Sequence, residues 1–340
     1  MTGIVQDLTG RTSDFEAMEQ AVSRLLDREV TPDRLAQAES GQTAVEIWTA
    51  LEASGLGLAL LDANLGGLGL EASAAFELLR LTAVYSVPVA IGETMIATAL
   101  WGQPLDGQVT LISDFNRVPY GRQARFGVMQ NGRDGIALIE MPQSMEPDRN
   151  LANEPRDAFK SDPAGHVIET RKPTLGKTVD VMACGALLRS VQMCGAMHTV
   201  LRLSIEHAKI RQQFGRPIGR FQAVQHMLAD LASEVAAADA ITGLAVRNWN
   251  REGFIFTAGL AKARVGEAAG HVAAIGHQIL AANGFTRDHP LNRSTRRLWS
   301  WRDDFGNEAI WQQQIGRAIC AEGGGGVWEQ VLTANSGAQE

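Results

Sequence analysis

The segment Arg211–Leu231, RQQFGRPIGRFQAVQHMLADL, decides how the chain is understood. It has the pattern of a helix that ends at Arg211 and a turn built on Gly215 and Pro217. A second helix is predicted to open after Gly219. The segment therefore predicts two consecutive helices that are joined by a short, tight connection.

Polar and aromatic side chains are concentrated in that connection. Arg211 offers a planar guanidinium, and Phe214 offers an aromatic face. Gln213 and Gln222 add two side-chain amides. Arginine binds phosphate through two parallel hydrogen bonds, and the start of a helix favours an anion. Two interpretations stay open from spacing alone: an ordinary surface loop, which explains the glycine and proline, and a nucleotide site, which also explains the other side chains.

Composition excludes several classes of protein. The 340 residues include 31 Lys and Arg against 38 Asp and Glu, a net charge of −7, and 45% are hydrophobic. A chain this apolar is not expected to be disordered, and its acidity disfavours nucleic acid as a partner. No apolar run approaches the ~20 residues of a membrane span, and the first residues do not resemble a signal peptide, which predicts a cytoplasmic protein. Three Cys without a CxxC and seven scattered His predict neither a disulfide framework nor a metal site.

Hydrophobic periodicity divides the chain into three regions: an N-terminal helical domain over 1–103, a small antiparallel β domain over 104–178, and a C-terminal helical bundle over 179–340. The fold class is therefore mainly α with a small β insert. Short β-prone runs fall at 108–115, 124–130 and 135–141. The periodicity predicts four long helices in the last region, over 179–211, 221–251, 254–280 and 311–333.

On three stretches the sequence resembles the acyl-CoA dehydrogenase family. Residues 211–230 match the family signature RxQFGxPIxxFQxVQHxLAD almost residue for residue. Residues 48–70, WTALEASGLGLALLDANLGGLGL, are similar to a segment of the family's first helical domain. Residues 278–308, QILAANGFTRDHPLNRSTRRLWSWRDDFGNE, are similar to the block that begins Q-x-x-GG-x-G-[FY]. The resemblance covers both helical regions in the family's order, roughly residues 14–101 and 179–333.

The resemblance implies an FAD-dependent enzyme that oxidises an acyl-CoA thioester to the trans-2-enoyl-CoA. In the family a carboxylate removes the α-proton, the β-hydrogen leaves as hydride to the flavin, and an electron-transfer flavoprotein reoxidises the flavin. The FAD is shared between subunits, so a homo- or hetero-oligomer, a dimer or a tetramer, is expected. Carried over by position, the residues that would contact the ADP half of a neighbouring subunit's FAD are Arg211, Gln213, Phe214, Gln222 and Gln278, with the backbone of Ala281 and Ala282.

The catalytic base is the main departure from the family pattern. One family position for the glutamate falls on Phe305, and the alternative position in some relatives falls on Gly185. Neither residue is a carboxylate. Two hypotheses remain for the neighbouring acids: Asp304, or Asp303, replaces the missing base, or both form ordinary ion pairs.

Two further departures concern the flavin. The family's glycine pair is Ala281–Ala282 here, which adds methyl groups where backbone approaches the cofactor. The β region is short, and its Asp162–His166 segment is expected to precede no strand comparable to the family's flavin-lining strand. Three functions therefore stay open: an acyl-CoA dehydrogenase that works alone, a degenerate partner subunit of a heterotetramer such as those of steroid side-chain degradation, and a non-redox structural or binding homologue.

Overall fold

A computed structural model describes residues 13–174, 180–286 and 289–321. The chain is mainly helical with a small β insert between two helical regions, as the sequence predicts. The predicted boundary at 178/179 and the two ends of the chain, 1–12 and 322–340, lie outside the described residues, so the domain limits stay predictions. Within the described ranges, no helix is both long and apolar enough to cross a membrane.

Five α-helices lie in the N-terminal region from residue 13 onwards, where the structure describes the chain. The second begins after Thr31, whose side chain accepts a hydrogen bond from the Arg34 N–H, and ends at Gly41, whose φ of +107° suits glycine. Every residue of the fifth is buried, which fits its composition of apolar and small residues. The helices are α1 Ser13–Glu29, α2 Pro32–Ser40, α3 Val45–Ala53, α4 Ala72–Val84 and α5 Ile91–Trp101.

The β insert contains a four-stranded sheet in the order β1-β3-β4-β6 and a two-stranded pair of β2 with β5. The three predicted β-prone runs are strands β1, β3 and β4 of the larger sheet. The strands are β1 Val109–Ile112, β2 Val118–Pro119, β3 Phe126–Asn131, β4 Gly135–Glu140, β5 Arg156–Asp157 and β6 Val167–Arg171.

One expectation for this insert was wrong. The sheet is mixed rather than antiparallel, because β1 pairs with β3 in parallel, with Val109 opposite Phe126. The 13 residues between the two strands carry the chain back to the same end, as a parallel pair requires. The Asp162–His166 segment is followed by β6, which begins at Val167 and pairs with β4, and the absence of a strand comparable to the family's flavin-lining strand stays a prediction.

The described part of the C-terminal region, residues 180–286 and 289–321, contains five α-helices, one more than predicted. The additional helix, α9, carries four arginines in its 14 residues, so its sequence does not have the composition of a long apolar bundle helix. A short β-hairpin lies within the Arg211 connection. The elements are α6 Val181–Ile210, β7 Gln212–Gln213, β8 Arg216–Pro217, α7 Gln222–Arg247, α8 Phe254–Leu280, α9 Pro290–Asp303 and α10 Glu308–Ala321.

Helices α6 and α8 pack side by side and run parallel. Gly276 of α8 lies so close to Val200 of α6 that a Cβ on the glycine would be 2.5 Å from Cγ1. Towards the start of both helices, Lys262 of α8 and Gly185 of α6 each contact the segment 302–306. Both helices therefore end at the same end of the bundle, which brings the Arg211 connection near the residues that follow α8.

Candidate functional site

The Arg211 connection is an exposed hairpin with an unusual backbone. Strands β7 and β8 pair through Gln212–Pro217 and Gln213–Arg216, and the Ile218 N–H donates to the Arg211 carbonyl at 2.8 Å. Phe214, at the tip, has a φ of +50° and is 91% exposed. A left-handed phenylalanine that exposes its ring is costly in an isolated chain, which is the kind of strain found at binding sites.

Aromatic contacts hold this hairpin against the start of α7. The guanidinium of Arg216 lies 4.2 Å from the centre of the Phe221 ring. Phe214 meets the same ring edge to face, with centroids 6.1 Å apart. Gln222, the first residue of α7, is exposed beside them. The turn is therefore supported from one side and open to solvent on the other.

The end of α8 forms the second part of the site. Gln278 is exposed, and the Ala281 N–H donates to the carbonyl of His277 where the helix ends. Ala281 has a φ of +48° and a ψ of −136°, a conformation that suits glycine. Alanine therefore has a backbone conformation that favours glycine at the first of the two positions where the resemblance implies a glycine pair. Ala282 follows, also exposed.

Electrostatic effects indicate that the Arg211 connection and the residues after α8 lie close together. Burial lowers the pKa of His207, near the end of α6, and the charges of Arg211 and His289 lower it further. His289 belongs to the segment after α8, where its ring accepts a hydrogen bond from the Leu291 N–H and caps α9. Arg211 and the start of α9 are therefore neighbours at one end of the bundle.

All seven residues predicted to contact FAD are exposed in the isolated chain. A buried cofactor site would conceal them, whereas a half-site completed by another subunit leaves them open. The residues fit the ADP half of FAD: a guanidinium for phosphate, amides for polar edges and an aromatic ring for stacking. Their role as FAD contacts stays a prediction.

The two family positions for the base lie against each other. A Cβ on Gly185 would be only 2.2 Å from Cδ1 of Phe305, so the phenyl ring occupies the space above the glycine. Phe305 is buried, with a φ of +54°. The indole N–H of Trp311 donates to the Phe305 carbonyl at 2.9 Å, and the buried Nζ of Lys262 donates to the Gly306 carbonyl at 2.7 Å. A phenyl ring is thus held at the point where the family resemblance would place a carboxylate.

Asp304, the first candidate base, is buried in an ion-pair cluster. Its Oδ1 accepts from Arg156 Nε at 3.1 Å, and its Oδ2 accepts from Arg156 Nη2 at 2.6 Å and from Arg189 Nε at 2.9 Å. Burial alone would raise the pKa of Asp304, but Arg156 and Arg189 outweigh it and hold the pKa well below its usual range. Both properties disfavour proton abstraction, which needs a carboxylate of raised basicity. Asp303, the second candidate, is exposed.

The cluster around Asp304 was not predicted from the sequence. It joins three arginines to three carboxylates, all buried, and connects α5, the β insert, α6 and α9. Arg189 also donates to Glu93 at 2.7 Å, and Arg297 donates to Glu154 at 3.1 Å. Glu93 and Arg189 are 96 residues apart, and Asp304 and Arg156 are 148 apart, so no local pattern brings them together. The members are Glu93, Glu154, Arg156, Arg189, Arg297 and Asp304.

Comparison with known proteins finds similarity to acyl-CoA dehydrogenases. The family described as acyl-CoA dehydrogenase, C-terminal domain, matches residues 179–320. Acyl-CoA dehydrogenase IpdE2 of Mycolicibacterium smegmatis is 25% identical over 245 residues, 68% of this chain and 76% of that protein. A 3-sulfinopropanoyl-CoA desulfinase of Paraburkholderia xenovorans is 35% identical over 120 residues, 35% of this chain. That match spans only 31% of the desulfinase.

Solved structures show the same fold. A chain of the ChsE4-ChsE5 complex from Mycobacterium tuberculosis superimposes with a TM-score of 0.77 at 17% identity, covering 91% of this chain and 98% of that one. The fold and the matched sequences relate the chain to acyl-CoA dehydrogenases. Residues 179–320 match the acyl-CoA dehydrogenase C-terminal domain in sequence, and the chain has the fold of solved acyl-CoA dehydrogenases.

Proposed function

We propose that this chain is a subunit of an acyl-CoA dehydrogenase that binds the ADP half of an FAD shared with another subunit, while the other subunit supplies the base. The observation that carries the proposal is the contact between Phe305 and Gly185. Both known positions for a base converge on one point, and a phenyl ring fills it. The exposed ADP-type half-site is kept at the other end of the bundle.

The chemistry explains why the base matters. The α-proton of a thioester is weakly acidic, so its removal needs a carboxylate that is unpaired and partly desolvated. Bound FAD would supply the acceptor for the hydride from the β-carbon, and an electron-transfer flavoprotein is the acceptor that the family resemblance implies. Asp304 has both oxygens engaged by guanidinium groups, which removes the basicity that the reaction requires.

The buried ion-pair cluster also supports the proposal that the other subunit supplies the base. Arg189 and Glu93 join α6 to α5, and Asp304 at the end of α9 joins both to Arg156 of β5. These charges fill the interior next to Phe305, and a cluster whose members are paired is costly to open. The interior of this chain is therefore better suited to holding three regions together than to admitting a thioester.

If one chain binds the ADP half of FAD and a different chain supplies the base, the assembly must be a hetero-oligomer. The structural neighbour ChsE4-ChsE5 is described as a complex, which supports an assembly of two different chains within this fold. The half-site around Arg211 would then face the other subunit's flavin. The acyl group of the substrate is not specified by this geometry.

Co-expression tests the proposal. The chain is purified alone and together with the product of a neighbouring gene of the same family, and the visible spectrum of each preparation is recorded. We expect no flavin spectrum for the chain alone and a flavin spectrum for the complex. Arg211→Ala should lower the flavin content of the complex, whereas the matched exposed change Arg202→Ala, on α6 outside the half-site, should leave it unchanged.

Two outcomes would contradict the proposal. If the chain alone binds FAD and acyl-CoA bleaches the flavin, the chain is a complete dehydrogenase, and loss of bleaching in Asp304→Asn or Asp303→Asn would identify the base. If neither the chain nor any complex binds flavin, the chain is a non-redox homologue.

A further inference from the structure

A small polar cavity lies where the N-terminal helices, the β insert and α9 meet. Its volume is about 40 Å³, and one buried water needs about 10–15 Å³, so it has room for about three waters. The turn around Gly41 forms one wall, residues 120–123 and 149–155 of the insert form the second, and Arg297 of α9 belongs to the third. The cavity shares no residue with the proposed ADP half-site.

Two buried side chains at the cavity have a hydrogen-bond donor without an acceptor. Tyr120 is 4% exposed, and its hydroxyl makes no hydrogen bond to any residue that the structure describes. Arg297 is 1% exposed and donates through Nε to Glu154 and through Nη1 to the Arg293 carbonyl. Its Nη2 has no acceptor within the described ranges. Buried donors are costly when they lack an acceptor, so both groups favour a ligand that accepts hydrogen bonds.

The Tyr120 hydroxyl keeps its proton at ordinary pH. Burial raises the pKa of Tyr120 well above its usual range, and the negative charges of Glu154 and Glu93 raise it further. Glu154 lines the cavity as well, but it accepts from Arg297 Nε at 3.1 Å and from the indole N–H of Trp301 at 2.9 Å. Its charge is therefore balanced by its own partners and does not exclude an anion.

The wall around Gly41 carries an excess of positive charge. Glu39 pairs with two arginines of α9, Arg293 at 3.0 Å and Arg296 at 2.8 Å. Arg149 lies beside them, because a Cβ on Gly41 would be 2.0 Å from its Nη2. Among the described residues Arg149 has no carboxylate partner, and its Nη1 reaches only the Glu39 carbonyl, at 3.4 Å. One carboxylate therefore serves three guanidinium groups, and a bound anion would balance their charge.

We propose that this cavity binds a small oxyanion, of the size of phosphate, through Arg149, Arg297 and the Tyr120 hydroxyl. Guanidinium groups bind oxyanions through charge-assisted hydrogen bonds, and the phenol adds a third donor. Since Arg149 is exposed, the cavity is open on its side, and the group can be a free ion or the terminal phosphate of a larger molecule. The bound ion would join the insert to α9.

Thermal unfolding of the full chain in inorganic phosphate tests this inference. A Kd of about 1 mM would raise Tm by about 2 °C in 10 mM phosphate, relative to potassium chloride of equal ionic strength. Arg149→Ala should abolish the rise, and Tyr120→Phe should weaken binding about tenfold, which leaves about 0.6 °C. The rise is measured within each variant, so a loss of stability caused by the substitution itself cancels.

Two further variants are the controls. Arg133→Ala removes an exposed arginine of the same insert and should keep the full rise. Arg211→Ala removes the phosphate-binding group of the proposed half-site and should also keep it. The result does not depend on flavin, so the proposed function can fail while the cavity stands.

The outcomes decide the inference. No rise in the wild type, or a rise that Arg149→Ala retains, would overturn it. A rise that only Arg211→Ala abolishes would assign the phosphate to the half-site and would also overturn it. Glycerol phosphate then distinguishes the two sources: an equal rise supports the terminal phosphate of a larger molecule, and an effect limited to inorganic phosphate supports a free ion.

Discussion

The Asp304→Asn substitution distinguishes a carboxylate that stabilises the fold from one that removes a proton. The carboxylate accepts three hydrogen bonds from two buried guanidinium groups. Asparagine keeps one acceptor oxygen but turns an N–H₂ group towards an arginine and removes the negative charge. The positive charges of Arg156 and Arg189 would then stay buried with one negative charge fewer to balance them.

The expected loss of stability depends on the ion pairs that Arg156 and Arg189 keep in the variant. Removing one partner of a buried ion pair costs about 3–5 kcal/mol. Arg189 keeps Glu93 at 2.7 Å, and Arg156 keeps Glu154 at 3.2 Å, so we expect the lower end, about 3 kcal/mol. For 340 residues the entropy of unfolding is about 0.7 kcal/mol per kelvin, which converts this loss to a fall in Tm of about 4 °C.

Thermal unfolding followed by circular dichroism measures the change, with Asp303→Asn as the matched control. Asp303 is the exposed neighbour, and its substitution should shift Tm by less than about 1 °C. The reasoning would be refuted if Asp304→Asn kept the wild-type Tm, and a simultaneous loss of flavin bleaching by acyl-CoA would make Asp304 the base.

Three further predictions concern single residues. Burial lowers the pKa of Lys262 to about 8, so between pH 8 and 10.5 the unfolded chain binds more protons and stability rises with pH. Urea unfolding should therefore favour the wild type over Lys262→Met by up to about 3 kcal/mol more at pH 10.5 than at pH 7.5; a difference that stays constant between these pH values would contradict the lowered pKa of Lys262. Gly185→Ala should cost about 1–3 kcal/mol, because its Cβ would lie 2.2 Å from the Phe305 ring, and Phe305→Leu in the same chain should restore part of that loss; additive losses would contradict the contact. Ala281→Gly should raise the free energy of unfolding by about 1 kcal/mol by relieving a φ of +48°, and a lower Tm would show that the turn is unstrained.

Local patterns predicted much of the fold. The long apolar helix expected over 179–211 is α6, at Val181–Ile210, and the third long helix matches α8 at both ends. Long apolar helices bury one or more faces whatever packs against them. Their hydrophobic periodicity can therefore be recognised in the amino-acid sequence alone. The family motif adds the order of the regions, which no local pattern contains.

The missed features depend on contacts between distant segments. Helix α9 pairs its arginines with Glu39 and Glu154 from other regions, so its sequence is charged where an isolated core helix would be apolar. The parallel pairing of β1 with β3 depends on the path of the connection between them. The assignment of Asp304 to an ion-pair cluster likewise required knowing that Arg156 lies beside it.

The number of flavins per chain tests the central claim most directly. The complex with the partner subunit is purified, its FAD is released and quantified by absorbance, and the protein is quantified by amino-acid analysis. If this chain supplies only the ADP half-site, the complex contains one FAD for every two chains and the isolated chain contains none. One FAD for every chain, with bleaching by acyl-CoA in the isolated chain, would contradict the account.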